Sequence, residues 1–233
     1  MLSKLSRSTL AEQATENLLV YIETQNLKPG DLLPSETRLA TQFEVSRPVI
    51  REALKNLEGK GIIEIINGKG ALVKPMDSDP LRLFFQRAVQ IERNTILELM
   101  DVRRGLEVQA VMLAAKRRQD SDLVAIRKLV VAMRAELHNP ENYAELDTEY
   151  HLAIVSATHN TILFYLVESI RDSLHNTIST GLRVRTNFEQ LVRIQDLHEK
   201  ILQLMTDGDV VGAAEAMAIH FDEAIQAIAT SED

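Results

Sequence analysis

The stretch from Ser46 to Val73 constrains the fold more than any other part of this chain. Ile50, Ala53, Leu54 and Leu57 fall at i, i+3, i+4 and i+7, while Arg47, Arg51 and Lys55 fall at i, i+4 and i+8. One helix therefore presents one face that packs and another that is a cationic stripe. Ser46 is placed to cap it, and Pro48 is tolerated as its second residue because first-turn amides have no intrahelical partner. A short strand from Ile62 to Ile66, the loop Asn67-Gly68-Lys69-Gly70 and a second strand from Ala71 to Val73 follow directly. Upstream, Thr9 and Glu12 have capping-box spacing before a helix predicted over Leu10–Gln25, and Pro34-Ser35-Glu36 opens a short second helix carrying Leu39 and Ala40. Three helices and a hairpin make a winged helix-turn-helix.

A cationic stripe is often only a solvated face. Here it lies on the second helix of a helix-turn-helix unit, where arginines can enter the major groove and donate bidentately to guanine, while the wing glycines let backbone pass close to phosphate. The net charge of −8 would oppose DNA if it were spread evenly, but residues 1–75 carry a net +1 and the remainder −9. An acidic second half suppresses nonspecific adhesion without cancelling a local patch. The charge steps at Lys74-Pro75-Met76-Asp77-Ser78-Asp79-Pro80, which sets the expected domains at 1–75 and 85–233 with a linker over 76–84.

The string from Leu33 to Val73 resembles the DNA-binding domain of the GntR family of bacterial transcription regulators, through its Leu-Pro-Ser-Glu opening, Val-Ser-Arg turn, Arg-Glu-Ala-Leu helix and Gly-x-Gly wing. The resemblance implies operator contacts from Arg47 and Arg51 and a wing at Gly68 and Gly70. With the neighbouring polar positions, the expected DNA-binding set is Arg38, Ser46, Arg47, Arg51, Lys55, Asn67, Gly68, Lys69 and Gly70. Family members often carry an arginine directly after the Pro-Ser-Glu glutamate; this chain has Thr37 there and Arg38 one step later.

Beyond Pro80 the pattern is helical throughout, with breakers at Asn139-Pro140, His159-Asn160 and Asp207-Gly208-Asp209, and six or seven helices are expected. With aromatics at only 4% and no strand-like alternation in this half, the overall class is mainly α. The chain has no cysteine, so disulfides and thiolate metal sites are excluded and any transition metal must be held by nitrogen and oxygen. Asp147 and His151 lie one turn apart on one helix face. His198 and His220 flank the Asp207-Gly208-Asp209 turn of a helix hairpin, roughly 15 Å and 18 Å from it at about 1.5 Å per residue, hence at nearly one level. Three histidines and a carboxylate suit Zn, Ni, Mn, Co or Fe, although such spacings also arise by chance in helical domains. His138, His159 and His175 fit no such constellation and read as structural.

The segments VRRGLEVQAVMLAA, DTEYHLAIVSATHN and LHEKILQLMTDGDVVGAAEAMAIHF resemble the FCD effector domain of the FadR-like GntR subfamily. That resemblance makes Asp147, His151, His198 and His220 the metal ligands and points to the branch that answers to small carboxylates. Arg103, in the Val-Arg-x-x-Leu-Glu pattern, either pairs with an effector carboxylate or forms a salt bridge to Glu107 one turn on. The implied protein is a cytoplasmic, homodimeric regulator, a repressor in most such cases, whose operator affinity follows a small carboxylate or sugar acid at a metal-containing pocket. The rival readings are a metallohydrolase with an accessory nucleic-acid-binding domain and a regulator whose metal is purely structural. No HExxH motif, nucleophile elbow or phosphate loop is present, so no enzyme is expected. The N-terminus lacks the continuous apolar core of a signal peptide, and the apolar run Ala110–Ala115 is far too short to span a membrane.

Overall fold

The computed structural model describes residues 8–91, 95–184 and 188–231. It is mainly helical, as the sequence implies, and divides into two compact units, Met1–Pro80 and Leu81–Asp233.

In the first unit, α1 (Leu10–Thr24) starts with the predicted capping box: the Glu12 amide donates to Thr9 Oγ1 at 3.1 Å, and the Thr9 amide donates to Glu12 Oε2 at 2.7 Å. Helix α2 (Glu36–Gln42) begins after Ser35, whose hydroxyl accepts from the Arg38 amide. Helix α3 (Arg47–Gly59) buries Ile50, Ala53, Leu54 and Leu57 against Leu18, Leu39, Ile63 and Val73. Truncating one of these leucines to alanine would cost about 2–5 kcal/mol. Strands β1 (Ile63–Ile66) and β2 (Gly70–Val73) pair antiparallel, Ile63 opposite Val73, and form the wing. Gly68 and Gly70 take φ of 79° and 109°, a region that a side chain would strain, which is why this turn is glycine-rich.

Ser46 occupies the N-cap of α3, but its hydroxyl makes no cap bond, contrary to the expectation. The residue two positions on is Pro48, which has no N–H to give, and the Val49 amide is already donated to the Ser46 carbonyl at 3.1 Å.

The second unit is built from α4 (Asp79–Ile91), α5 (Thr95–Arg117), α6 (Asp120–Ala135), α7 (Pro140–Ser156), α8 (Thr161–Val184), α9 (Phe188–Asp207) and α10 (Val210–Ser231). Seven helices among the described residues lie within the expected range. Part of the segment 76–84 is helical, because Asp79 and Pro80 suit the first turn of a helix, where proline's missing N–H costs nothing. Helices α5 and α10 lie side by side, and Ala114 on α5 with Ala213 and Ala216 on α10 are fully buried in one core cluster. Asp209 caps α10, accepting from the Gly212 amide at 2.9 Å, and Gly208 turns the chain with φ of 74°.

Each central helix carries one buried stripe, and in each the stripe is broken by polar residues. On α7 it runs Tyr143, Ala144, Asp147, Tyr150, His151, Ile154 and Val155. On α9 it includes Ile194, Gln195, His198, Ile201 and Leu202; on α10, His220 lies beside Met217 and Phe221; on α5, Arg103 and Glu107 lie between Met100 and Ala110. Burying uncompensated polar groups is costly, so these interruptions must meet one another.

Candidate metal centre and DNA-binding face

They do meet. Asp147 and His151 from α7, His198 from α9 and His220 from α10 each offer a ligand atom, all within 4.8 Å of one another and all buried. The imidazoles of His198 and His220 are 4.6 Å apart between centroids, and those of His151 and His220 are 4.9 Å apart. The helix-rise estimate that put His198 and His220 at one level therefore holds in the structure.

A surrounding layer fixes these side chains. His151 Nδ1 lies 2.5 Å from Glu107 Oε2, and Glu107 Oε1 accepts from Arg103 Nε at 2.9 Å. The glutamate leaves Nε2 as the outward-facing ligand atom of His151, the arrangement by which carboxylates orient metal-binding imidazoles. Tyr143 Oη lies 3.3 Å from His198 Nδ1, directing that ring's Nε2 to the cluster, and the Tyr150 hydroxyl donates to the His198 carbonyl at 3.0 Å. Arg171 donates to Asp147 Oδ2 at 3.1 Å and lies 3.6 Å from Glu107 Oε1.

The residues fit a divalent ion on two counts. The donor set is three imidazoles and a carboxylate with no competing thiolate, and the buried nitrogens Nε2 of His151 and Nδ1 of His220 make no hydrogen bond. Burial opposes ionisation of Asp147, but His151, His198 and Arg171 together hold its carboxyl at about 2. Burial opposes ionisation of Glu107 also, and Arg103, His151 and Arg171 outweigh it and hold that carboxyl well below the usual range. Burial, with His198 and His151 nearby, pushes His220 well below the usual histidine range, so it stays neutral and able to coordinate.

Arg103 is buried, forms the salt bridge to Glu107 and lies 5.1 Å from the centroid of the Phe221 ring. Arg171, Glu107 in its contact with His151, and Tyr143 were missed as functional residues by sequence reasoning. For Arg171 the signal was present: Leu163, Val167, Ile170 and Arg171 fall at i, i+4, i+7 and i+8, placing an arginine on a buried stripe. His138 stacks on Phe188 at 4.7 Å, and His159 Nε2 lies 3.2 Å from Asp122, away from the cluster's ligand set. The side chain of His175 lies outside the described residues.

In the first unit, Arg47, Arg51 and Lys55 are exposed along one side of α3 while its leucines are buried, and Arg38, Ser46, Asn67, Gly68, Lys69 and Gly70 are exposed as well. Arg51 and Arg47 both lean on Glu36.

Two family descriptions match: "Bacterial regulatory proteins, gntR family" over residues 10–73 and "FCD domain" over residues 98–223. The chain belongs to the GntR family. It is a DNA-binding transcription regulator of the GntR/FCD type, and the family and its relatives are regulators, not enzymes. The chain is 29% identical over 201 residues to the HTH-type transcriptional regulator LutR of Bacillus subtilis, covering 85% of this chain and 92% of that one. It is 33% identical over 181 residues to the Glc operon transcriptional activator of Escherichia coli, covering 74% and 70%. The solved structure of Streptococcus agalactiae GntR superposes with a TM-score of 0.73 at 25% identity, over 93% of this chain and 99% of that chain. Among the described residues, no helix of this GntR regulator is long and apolar enough to cross a membrane.

Proposed function

We propose that this regulator is a cytoplasmic homodimer that represses its target operon and releases operator DNA when a small carboxylate or sugar acid binds at a metal-containing pocket in residues 85–233. The observation that carries this reading is the charge balance around the four converging side chains. Two buried arginines, Arg103 and Arg171, face two buried carboxylates, Glu107 and Asp147, so these four charges balance one another before any ion is added. A divalent ion held by Asp147, His151, His198 and His220 would supply open coordination positions for carboxylate oxygens. The cluster would then carry an excess of positive charge that an anionic effector neutralises, with Arg103 the donor suited to a planar carboxylate. The galactonate operon transcriptional repressor of Escherichia coli, 32% identical over 58% of this chain and 61% of that one, is named for the operon of a sugar acid and for repression, whereas the Glc operon transcriptional activator is named for the opposite sign.

DNA is read by residues 1–75, with Arg47 and Arg51 on base edges, Lys55, Ser46 and Arg38 around them and the wing Asn67-Gly68-Lys69-Gly70 on backbone. Two such units spaced about 34 Å apart match one turn of B-DNA, which is why a dimer is proposed. Effector binding needs to favour one arrangement of the bundle by only about 1–3 kcal/mol to change operator affinity measurably.

The depth of the ligands favours a second reading, in which the ion only braces α7, α9 and α10. One experiment separates the two. Metal content and a thermal-shift screen with small carboxylates and sugar acids are measured on the wild-type chain and on His198→Ala/His220→Ala. The effector reading expects about one ion per wild-type chain, a carboxylate that raises Tm only when metal is present, and loss of both in the variant. Unchanged metal content in the variant rejects these ligands, and a Tm response that survives chelation rejects the ion's part in effector binding.

A further inference from the structure

Glu36 opens α2 and reaches across to α3, where it accepts from Arg51 through both carboxylate oxygens: Nε to Oε1 at 3.2 Å and Nη2 to Oε2 at 2.8 Å. Arg47 Nη2 lies 3.6 Å from the same Oε2. Both arginines are more than half exposed and Glu36 is 30% exposed, so the three charges sit together on the surface that α3 offers to solvent. An isolated exposed pair contributes little to stability, and a carboxylate beside a DNA-binding stripe weakens attraction to phosphate. Raw DNA affinity therefore leaves Glu36 unexplained, and its place in the first turn of α2, worth about 0.3–1 kcal/mol, does not account for its reach to Arg51.

The geometry of the fork supplies an explanation. A guanidinium has five N–H donors in one plane, and Glu36 takes the side formed by Nε and one Nη2 hydrogen. The end formed by Nη1 and the second Nη2 hydrogen is left, and that pair matches the O6 and N7 acceptors of guanine. Glu36 thus fixes the plane of Arg51 without using the donors a base would need. It also places a negative charge where a guanidinium drifting toward the nearest phosphate would have to leave its partner.

We propose that Glu36 is a positioning residue that sets DNA specificity, holding Arg51 for a guanine edge and penalising its transfer to backbone phosphate. This rests on the reading of Arg51 as a base contact. Glu36 raises the ratio of specific to nonspecific binding, and it does so at a cost in nonspecific affinity.

The test begins with a randomised 30-base-pair duplex pool, from which the wild-type chain selects its preferred sequences. Binding to selected and unselected duplexes is then measured over a range of salt for wild type, Glu36→Gln, Glu36→Asp, Arg51→Ala and Arg51→Ala/Glu36→Gln. Glu36→Gln is expected to bind the unselected pool about threefold more tightly and to lower the selected-to-unselected ratio about tenfold, the scale of one bidentate readout. Its salt dependence should steepen as Arg51 gains a phosphate contact. Glu36→Asp, which keeps the charge and the favourable helix-start position, should recover part of the ratio. In the Arg51→Ala background, Glu36→Gln should change the ratio by less than twofold, because its route of action is gone. A ratio kept within twofold of wild type by both Glu36→Gln and Glu36→Asp overturns the inference. If Arg51→Ala binds selected duplex as wild type does, the reading of Arg51 fails, and this inference fails with it. If Arg51→Ala loses the selected duplex while Glu36→Gln keeps the ratio, only the role of Glu36 is rejected.

Discussion

His220 shows at the scale of a single residue how the buried cluster shapes the chemistry of the chain. Its imidazole is kept neutral by burial and by the neighbouring His198 and His151, well below the ordinary value of 6.5. The unfolded chain would protonate it below that value while the folded chain does not, so the unfolded state binds more protons and stability falls as pH falls. The carboxylates act in the same direction but lower down: Asp147, held at about 2 against an ordinary 3.8, begins to matter only below about pH 4. Between pH 7 and 5 the chelated protein should therefore lose stability, with a limiting slope of about 1.4 kcal/mol per pH unit from this one group. Urea midpoints at pH 5, 6 and 7 check this, and His220→Gln should flatten the dependence. A wild-type midpoint that does not move across that range contradicts the neutral assignment.

Helices translate these residues into a site, and it is at this scale that the sequence is most legible. The Thr9–Glu12 box, the Asn139-Pro140 start of α7 and the Asp209 start of α10 are local signals, written in side chains that satisfy amides three residues on, and the structure has each of them at a helix start. Asp209→Ala should cost about 1 kcal/mol through loss of the Gly212 amide bond, visible as a lower urea midpoint with selected-duplex binding unchanged. A midpoint within error of wild type would show that the α9–α10 turn holds without its cap. The meeting of Asp147 and His151 with His198 and His220 was accessible because helix rise is regular, so levels can be counted from a turn. The contribution of Arg171 and the second contact of Glu107 depend on how α8 and α5 lie against α7, which helix periodicity alone does not specify. The same holds for Glu36 and Arg51, joined across the α2–α3 turn by side-chain reach. Ser46 makes no side-chain cap because Pro48 removes one of the amides such a cap would serve.

In the whole molecule the two units carry different electrostatic problems. The first must concentrate positive charge on one face of a nearly neutral domain, and it does so with Arg47, Arg51 and Lys55 on a single helix side, moderated by Glu36. The second must bury charge within a bundle, and it does so by pairing two arginines with two carboxylates around three imidazoles. The proposed regulation joins them through an anion that the loaded cluster attracts and the metal-free cluster does not. Fluorescence anisotropy of the metal-loaded full chain on labelled selected duplex, titrated with small carboxylates and sugar acids before and after chelation, tests this most directly. The account predicts that at least one acid releases the duplex from the metal-loaded chain and fails to do so once the ion is removed. Release that is the same with and without the ion would contradict it.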